Sequence, residues 1–430
     1  MRAPKKPYTR KKSSGSSHKT LEITVEKLVY GGFGLGRHQG KVVFVPFSIP
    51  GDRLRVRVEE EKRNLIKARI VEILEPGAGR QSPACRHFGV CGGCQWQHVE
   101  YPLQLEAKRR ILEEVFHHRI PQTRKLKISM KGSPEQYGYR SRARLHAYRN
   151  GSNSTVGFLR YQSHRVEDIE ECPLLRPTLN EALASLRRSQ PFKEDYAGTI
   201  QIEIACAEDI RNWAMTEIEA DHAGEVYAEE GNASGKEDVL LHRRVGEFIY
   251  AISPSVFFQA NDFMLDDLVS EVRLLAKDAA AGSALDLYCG VGLFTLPLAS
   301  QFQRVVAVER SAAACNLCIL NANAAGRTNI HTVCSDVSEW MRAMSSIAPP
   351  AFDLLVLDPP REGAGPAIMN QIREWGPEMI IYVSCDPQTL CRDVSLLAGR
   401  GYAIDFIEGL DLFPQTYHFE TILRMKKHSY

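Results

Sequence analysis

Cys385 follows an apolar, β-rich run, Met379 to Val383, that reads as a buried strand. Ligands of open α/β sheets gather at the carboxyl ends of strands, so a thiol at that address is placed for chemistry. Packing is the commoner fate of a free cysteine, and here the neighbouring motifs decide otherwise. Asp358, in Asp358-Pro359-Pro360-Arg361, closes another strand, and Glu420 enters the last one. A thiol, a carboxylate base and a hydrogen-bonding group for the ring edge form the minimal set for substitution at carbon 5 of uracil. That carbon becomes nucleophilic once a thiolate has added at carbon 6 and left an enolate. A base then removes the proton from carbon 5, and the thiol is eliminated.

A second set of thiols lies far upstream. Cys85, Cys91 and Cys94 sit as Cys-x5-Cys-Gly-Gly-Cys, with glycines that let the backbone turn around them. Three thiols so close form a metal or cluster loop, and Cys172, in Glu171-Cys172-Pro173, is the best candidate for a fourth ligand. Zinc and an iron–sulfur cluster are both compatible with four thiolates. The total of eleven cysteines is odd, and many lie in strand-like or helical runs, which suits a reducing compartment better than a disulfide framework.

The elements that must position Cys385 alternate strand and helix beyond Tyr250. Strands are expected at Ser283–Leu287, Val305–Val308, Ile330–Val333, Leu354–Leu357 and Met379–Val383, the pattern of a doubly wound parallel sheet. The first turn, Asp286-Leu287-Tyr288-Cys289-Gly290-Val291-Gly292, lacks the full dinucleotide fingerprint, so a pyrophosphate cofactor is not favoured. Glu309 ends the second strand where an acid accepts from ribose hydroxyls, and Asp336 after the third could face an adenine. A short glycine turn followed by such an acid fits S-adenosylmethionine.

Net charge is only +2, but residues 1–20 hold seven Lys or Arg and no acid, and residues 101–150 hold twelve basic against four acidic residues. Such segments suit a polyanion. The tail to about Thr20 has no hydrophobic pattern and is expected to be disordered. Short strands follow at Leu21–Leu28, Lys41–Val45, Arg53–Val58 and Ala68–Leu74, with glycines between the first two, as in a small oligonucleotide-binding type of barrel. Gly31-Gly32-Phe33-Gly34-Leu35-Gly36-Arg37, then Lys41 to Pro46 and Pro50-Gly51-Asp52, resembles the TRAM domain, an RNA-binding module. Residues 103–118 read as a helix carrying Lys108, Arg109 and Arg110. In Tyr139–Tyr148 a period of two puts Arg140, Arg142, Arg144, His146 and Tyr148 on one face, suited to single-stranded or loop RNA. A polar loop is expected around Glu229 to Asp238. No apolar run reaches the length of a membrane span and no signal peptide is visible, so a cytoplasmic protein is expected.

Four ordered motifs, Asp-Leu-Tyr-Cys-Gly-Val-Gly, Leu-Asp-Pro-Pro-Arg, Tyr-Val-Ser-Cys-Asp-Pro and Phe-Pro-Gln-Thr-x-His-x-Glu-Thr, together resemble the bacterial RNA uracil-5 methyltransferase family. The TRAM-like barrel and the four cysteines point to its 23S rRNA branch, since the tRNA T-loop branch lacks both. The resemblance covers nearly everything after residue 20. It implies an α/β protein: an S-adenosylmethionine-dependent Rossmann-like methyltransferase domain (251–430), an N-terminal OB-like TRAM β-barrel (21–77) and a central α+β iron–sulfur and RNA-binding domain (78–250) behind a basic tail (1–20). It implies Cys385 as nucleophile and Glu420 as proton-abstracting base. It implies a [4Fe–4S] cluster on Cys85, Cys91, Cys94 and Cys172. Gln259 matches an active-site glutamine, and Tyr288, Glu309, Asp336 and Asp358 match cofactor positions; Leu293 departs from the Asn that relatives often carry. The expected partner is a 23S rRNA loop with a flipped uridine, bound by a monomer. A tRNA T-loop uracil-5 methyltransferase, a cytosine-5 methyltransferase and a non-catalytic RNA-binding protein on the same fold are the rivals.

Overall fold

The computed structural model describes residues 19–150, 153–189, 198–207, 213–219, 222–228, 240–347 and 351–428. The basic tail up to residue 18 and the expected polar loop around Glu229 to Asp238 lie outside them. The chain divides into two compact units, Met1–Gln81 and Ser82–Tyr430.

The first unit is a closed barrel of β1 (Thr20–Val29), β2 (Phe33–His38), β3 (Lys41–Pro46), β4 (Arg53–Glu61) and β5 (Leu65–Glu75), in the order β1-β2-β3-β5-β4. Alternation along β1 sends Leu21, Ile23 and Val25 inward, where they meet Val43, Val45, Leu54, Val56, Ile66 and Ala68. The run taken as a glycine connection contains β2. Gly31 and Gly32 do turn the chain, at φ 95° and 86°, but Gly34 and Gly36 lie within the strand. A Cβ on Gly34 would stand 2.1 Å from Ser48 Oγ, and one on Gly36 would stand 2.6 Å from the Thr24 carbonyl oxygen. Close approach of the barrel wall requires these glycines. Asp52, wholly buried after the Pro50-Gly51 turn, accepts from the Ile49 and Gly77 N–H groups and pairs with Arg80.

The second unit opens with the cysteine loop and then α1 (Tyr101–Arg119) and β6 (Ser129–Lys131). Next come β7 (Arg142–Asn150), β8 (Asn153–Leu159), β9 (Val166–Asp168), α2 (Pro177–Ser189), β10 (Gly198–Cys206), β11 (Trp213–Glu219) and β12 (His222–Ala228). These strands make a sheet in the order β12-β11-β10-β7-β8-β9, on which α2 packs Leu179, Ala182, Leu183 and Leu186. A hairpin of β13 (Leu241–Val245) and β14 (Phe248–Ile252) leads to α3 (Leu265–Ala276).

The remaining elements alternate: β15 (Ser283–Leu287), α4 (Thr295–Ala299), β16 (Arg304–Glu309), α5 (Ala312–Ala324), β17 (Ile330–Cys334), α6 (Val337–Ile347), β18 (Leu354–Leu357), α7 (Gly365–Trp375), β19 (Met379–Ser384) and α8 (Pro387–Val394). All five expected parallel strands are present. Two antiparallel strands, β20 (Tyr402–Leu410) and β21 (Glu420–Lys427), complete a sheet ordered β17-β16-β15-β18-β19-β21-β20-β6. β19 lies inside this sheet and every one of its residues is buried, which is why it reads as a continuous apolar run. β6 comes from the segment after α1 and pairs in parallel with β20, Ser129 against Glu408 and Lys131 against Leu410. Among the described residues no helix is long and apolar enough to cross a membrane.

Candidate active site

Cys385 leaves β19 at a strand-to-helix turn. Asp386 caps α8 by accepting from the Gln388 and Thr389 N–H groups at 2.8 and 3.0 Å, and Pro387 opens the helix. The antiparallel register of β19 against β21 runs from Met379 opposite Lys426 to Ser384 opposite Thr421. Cys385 and Glu420 are the next residues beyond that last pair, and the Glu420 charge acts on the Cys385 thiol. Glu420 is buried and its Oε2 has no hydrogen-bond partner. Burial, and then the neighbouring Asp358, hold its carboxyl well above the usual carboxylate range. Burial likewise pushes the Cys385 thiol up to about 12, Glu420 adding to the effect and Arg361 opposing it.

The acids lie along the carboxyl ends of the parallel strands. Asp286, at the end of β15, is wholly buried; its Oδ2 accepts from Thr295 Oγ1 and its Oδ1 has no partner. Burial raises it to about 7. Asp358, just past β18, is raised to about 7 by burial and then by Asp286. Tyr288 takes a left-handed φ of 63° on the turn after β15, a conformation costly for a side chain with a Cβ. Its phenol is pushed up by burial and by Asp336, Asp393 and Glu309, so the turn brings it among these acids. Glu309 is half-buried and oriented by the N–H groups of Gly290 (3.2 Å) and Ser311 (2.7 Å). Asp336 caps α6 through Ser338 and Glu339, and the Ser338 hydroxyl holds it below the usual range. Gln259 is buried in the segment after β14, beside Asn261, whose amide donates to the Leu412 carbonyl. Leu293 is buried, and its carbonyl accepts from the Tyr250 hydroxyl.

Cys85, Cys91, Cys94 and Cys172 line one cavity with Phe88, Gly93 and Arg140. Burial pushes Cys91 up to about 11 and raises Cys94 and Cys172, with the neighbouring thiols adding to each of these shifts. Among the described residues no three ligand side chains close on a point as those of a single metal ion do.

The three arginines expected on one face are used differently. The alternation itself is present: Ser141, Ala143, Leu145 and Ala147 are buried, while Arg144 and Tyr148 are exposed. Arg140 lies before β7 and lines the cysteine cavity. Arg142 turns inward and donates to the Val256 and Pro254 carbonyls, ahead of Gln259. Arg144 pairs with Glu203 at the surface. Of the basic residues on α1, Lys108 is wholly buried against Asp411, and Arg109 and Arg110 pair with Glu106. Of these only Lys108 is consumed inside the fold; Arg110 stays exposed.

A family model described as tRNA (Uracil-5-)-methyltransferase matches residues 238–428, and the TRAM domain matches residues 18–71. The 23S rRNA (uracil(1939)-C(5))-methyltransferase RlmD of Photorhabdus laumondii is 34% identical, over 94% of this chain and 95% of that protein. An RNA methyltransferase of Thermosynechococcus vestitus is 32% identical over 94% of this chain and 97% of its own. The chain belongs to the RNA uracil-5-methyltransferase family. Among solved structures, the Pyrococcus abyssi tRNA (uracil-54, C5)-methyltransferase in complex with S-adenosyl-L-homocysteine aligns with a TM-score of 0.70 and 25% identity. It covers 94% of this chain and 100% of that one. The protein is thus an S-adenosylmethionine-dependent RNA uracil-5 methyltransferase.

The strand-end residues fit that cofactor. Carboxyls raised by burial and by neighbouring acids, as Asp286 and Asp358 are, are matched to a ligand that carries positive charge. Sequence reasoning missed two of the groups that make this environment. Asp286 was visible only as the first residue of a turn motif, although an acid closing an apolar strand was itself a signal. Arg361 stood in the sequence only as the last residue of Asp358-Pro359-Pro360-Arg361; its charge opposes the upward shifts of both Cys385 and Glu420.

Proposed function

We propose that the protein methylates carbon 5 of a uridine in a 23S rRNA loop, with Cys385 as nucleophile and Glu420 as base. The observation that carries this reading is that Cys385 and Glu420 each lie one residue beyond the last β19–β21 pair, Ser384 with Thr421, and that the Glu420 charge acts on the Cys385 thiol. The Cys385 thiolate adds to carbon 6 of the flipped uracil, and the ring electrons move to carbon 5 and its neighbouring carbonyl. Bound S-adenosylmethionine supplies the methyl group from its sulfonium sulfur. Glu420 then takes the proton from carbon 5. The released electron pair restores the ring double bond and expels the Cys385 thiolate. Glu309, Asp336, Tyr288, Asp358 and Gln259 are the cofactor-side residues in this scheme. Arg361, beside both reacting groups, favours the thiolate and the carboxylate over their protonated forms.

Cys85, Cys91, Cys94 and Cys172 hold a [4Fe–4S] cluster in the same reading. Support comes from their shared cavity: Cys85, Cys91, Cys94 and Cys172 line it together, and the raised thiols of Cys91, Cys94 and Cys172 become stable thiolates around a multivalent cationic centre. The barrel and the exposed Arg144 and Tyr148 are the RNA-side elements, and the protein acts as a cytoplasmic monomer.

The relatives named 23S rRNA enzymes support the ribosomal target. A second reading, the tRNA T-loop, draws on the Pyrococcus abyssi tRNA enzyme. Its match across 94% of this chain means that a chain of this overall build is not confined to ribosomal RNA. Mass-spectrometric mapping of 5-methyluridine in rRNA and tRNA, from cells with and without the gene, separates the two. Loss at a 23S uridine is expected; loss confined to tRNA moves the target, and no loss in either overturns the catalytic reading.

A further inference from the structure

The connection between β20 and β21, residues 411–419, has no regular structure, yet it delivers Glu420 to its place. Gln415 sits on it with a left-handed φ of 68°, buried, on a residue with a Cβ. Such a conformation persists where its surroundings over-determine it. The grips come from one distant segment. Gln415 N–H donates to Gln104 Oε1 at 3.0 Å, and Gln104 Nε2 donates to Gln415 Oε1 at 2.9 Å. The Gln415 carbonyl accepts from both Gln95 N–H and Trp96 N–H, at 3.1 and 2.9 Å. Gln104 also reaches the Trp96 and Val99 carbonyls, so one side chain ties the chain just past Cys94 to the catalytic connection. Beside it Lys108 donates to Asp411 and to the Phe413 carbonyl, and the Tyr139 hydroxyl donates to the Pro414 carbonyl at 3.0 Å.

We propose that Gln104 is a positioning residue for proton abstraction: it fixes the left-handed turn at Gln415 and thereby the point at which Glu420 enters β21. The inference rests on the reading of Glu420 as the base. It assigns to the segment behind the cysteines a task in the second half of the reaction, elimination, and none in the first, addition and methyl transfer. Gln104 touches neither the substrate nor the reacting atoms. A reacting group displaced by about 1 Å costs about 100-fold in rate. Loss of the grip is therefore expected to act on the step that uses Glu420.

The test is single-turnover analysis of the full-length protein with an RNA substrate and labelled S-adenosylmethionine, following methyl incorporation and covalent protein–RNA adduct separately. Gln104→Met keeps the volume and removes every hydrogen bond. It is expected to slow adduct breakdown by about 10-fold or more while methyl transfer into the adduct stays within about threefold. Hydrogen exchange is expected to quicken in residues 411–419 and stay unchanged in β18 and β19. Equal slowing of both steps, or an unchanged adduct lifetime, overturns the proposal. If Gln104→Met does not fold, Tyr139→Phe, which removes only the bond to Pro414, decides by the same two rates. Glu420→Gln is run in parallel. If it fails to trap adduct, the base assignment falls and takes this proposal with it. If it traps adduct while the Gln104 or Tyr139 variant does not, only the positioning role falls.

Discussion

Ser384 and Thr421 are the last register partners of the antiparallel ladder between β19 and β21. Cys385 and Glu420 lie just beyond that pair, and the Glu420 charge acts on the Cys385 thiol. β19 ends where β21 begins, so the two reactive side chains need no long loop to reach each other.

Removing each partner should stop the reaction at a different point. Cys385→Ala is expected to lower turnover by about 10⁴-fold or more, with S-adenosylmethionine still bound. Glu420→Gln is expected to slow turnover by about 10²-fold to 10⁴-fold and to leave RNA attached to the protein through denaturing electrophoresis. Full turnover in either variant removes that residue from its role.

Asp286 and Asp358 give the ligand-free protein a pH dependence with a definite sign. Both are held at about 7 in the fold, well above the usual carboxylate range. An acid raised by folding keeps its proton after the unfolded chain has lost it. Its contribution to stability is present at low pH and is lost as pH rises from about 4 to about 7. The melting temperature of the ligand-free protein should fall across that window. Binding of the cationic cofactor should release protons, and its affinity should rise by up to about tenfold per pH unit just below about 7. Calorimetry in buffers of differing ionisation enthalpy reads both; proton uptake on binding would contradict the sign.

Lys108 and Asp411 are both fully buried, with Nζ 2.6 Å from Oδ1. Burial pushes the lysine down and the aspartate up, and their attraction opposes both shifts. Lys108→Met strands a buried carboxylate and is expected to cost about 3–5 kcal/mol in denaturant unfolding. Adding Asp411→Leu should recover most of that loss, because an apolar pair of similar volume is often neutral. A double variant no more stable than the single one would show that the pair acts otherwise.

Arg142 and Arg144 should separate cleanly. Arg144→Ala is expected to weaken RNA binding and lower the salt slope of binding by about 1, leaving cofactor affinity unchanged. Arg142→Ala frees the Pro254 and Val256 carbonyls ahead of Gln259 and should weaken cofactor binding and thermal stability together. RNA affinity measured against salt, beside cofactor titration, distinguishes them.

Anaerobically purified protein should contain about four irons and about four sulfides per chain, without zinc. Cys94→Ser should lose them and Cys206→Ser, outside the cavity, should not. Zinc as the sole metal would replace the cluster reading.

How legible the site was depended on how local its cause is. The five parallel strands announce themselves because each is a short apolar run, and Cys385, Asp358 and Glu309 follow from strand ends. The TRAM-like barrel was legible except for β2, because Gly34 and Gly36 resemble turn residues and only the approach of Ser48 and Thr24 shows that a strand needs them. Period-two patterning placed Arg142 on the correct face of its strand but could not reveal the two carbonyls that claim its guanidinium. Lys108 was read only as one of three basic residues on a helix, since its partner Asp411 is 303 positions away. Nothing in the residues 129–131 alone marks them as an edge strand.

That edge strand bears on how the chain assembles during synthesis. Ser129–Lys131 waits for Glu408–Leu410 before its backbone groups are paired, and α1 waits for Asp411 before its lysine is neutralised. Contacts of such sequence separation form late and pay the loop-closure entropy first. A ribosome that has translated the cysteine loop therefore holds an unfinished lobe until almost the last strand emerges. Truncation ahead of β20 would leave that lobe with an open β edge and a stranded internal charge, the signature of a nascent chain that calls on chaperones.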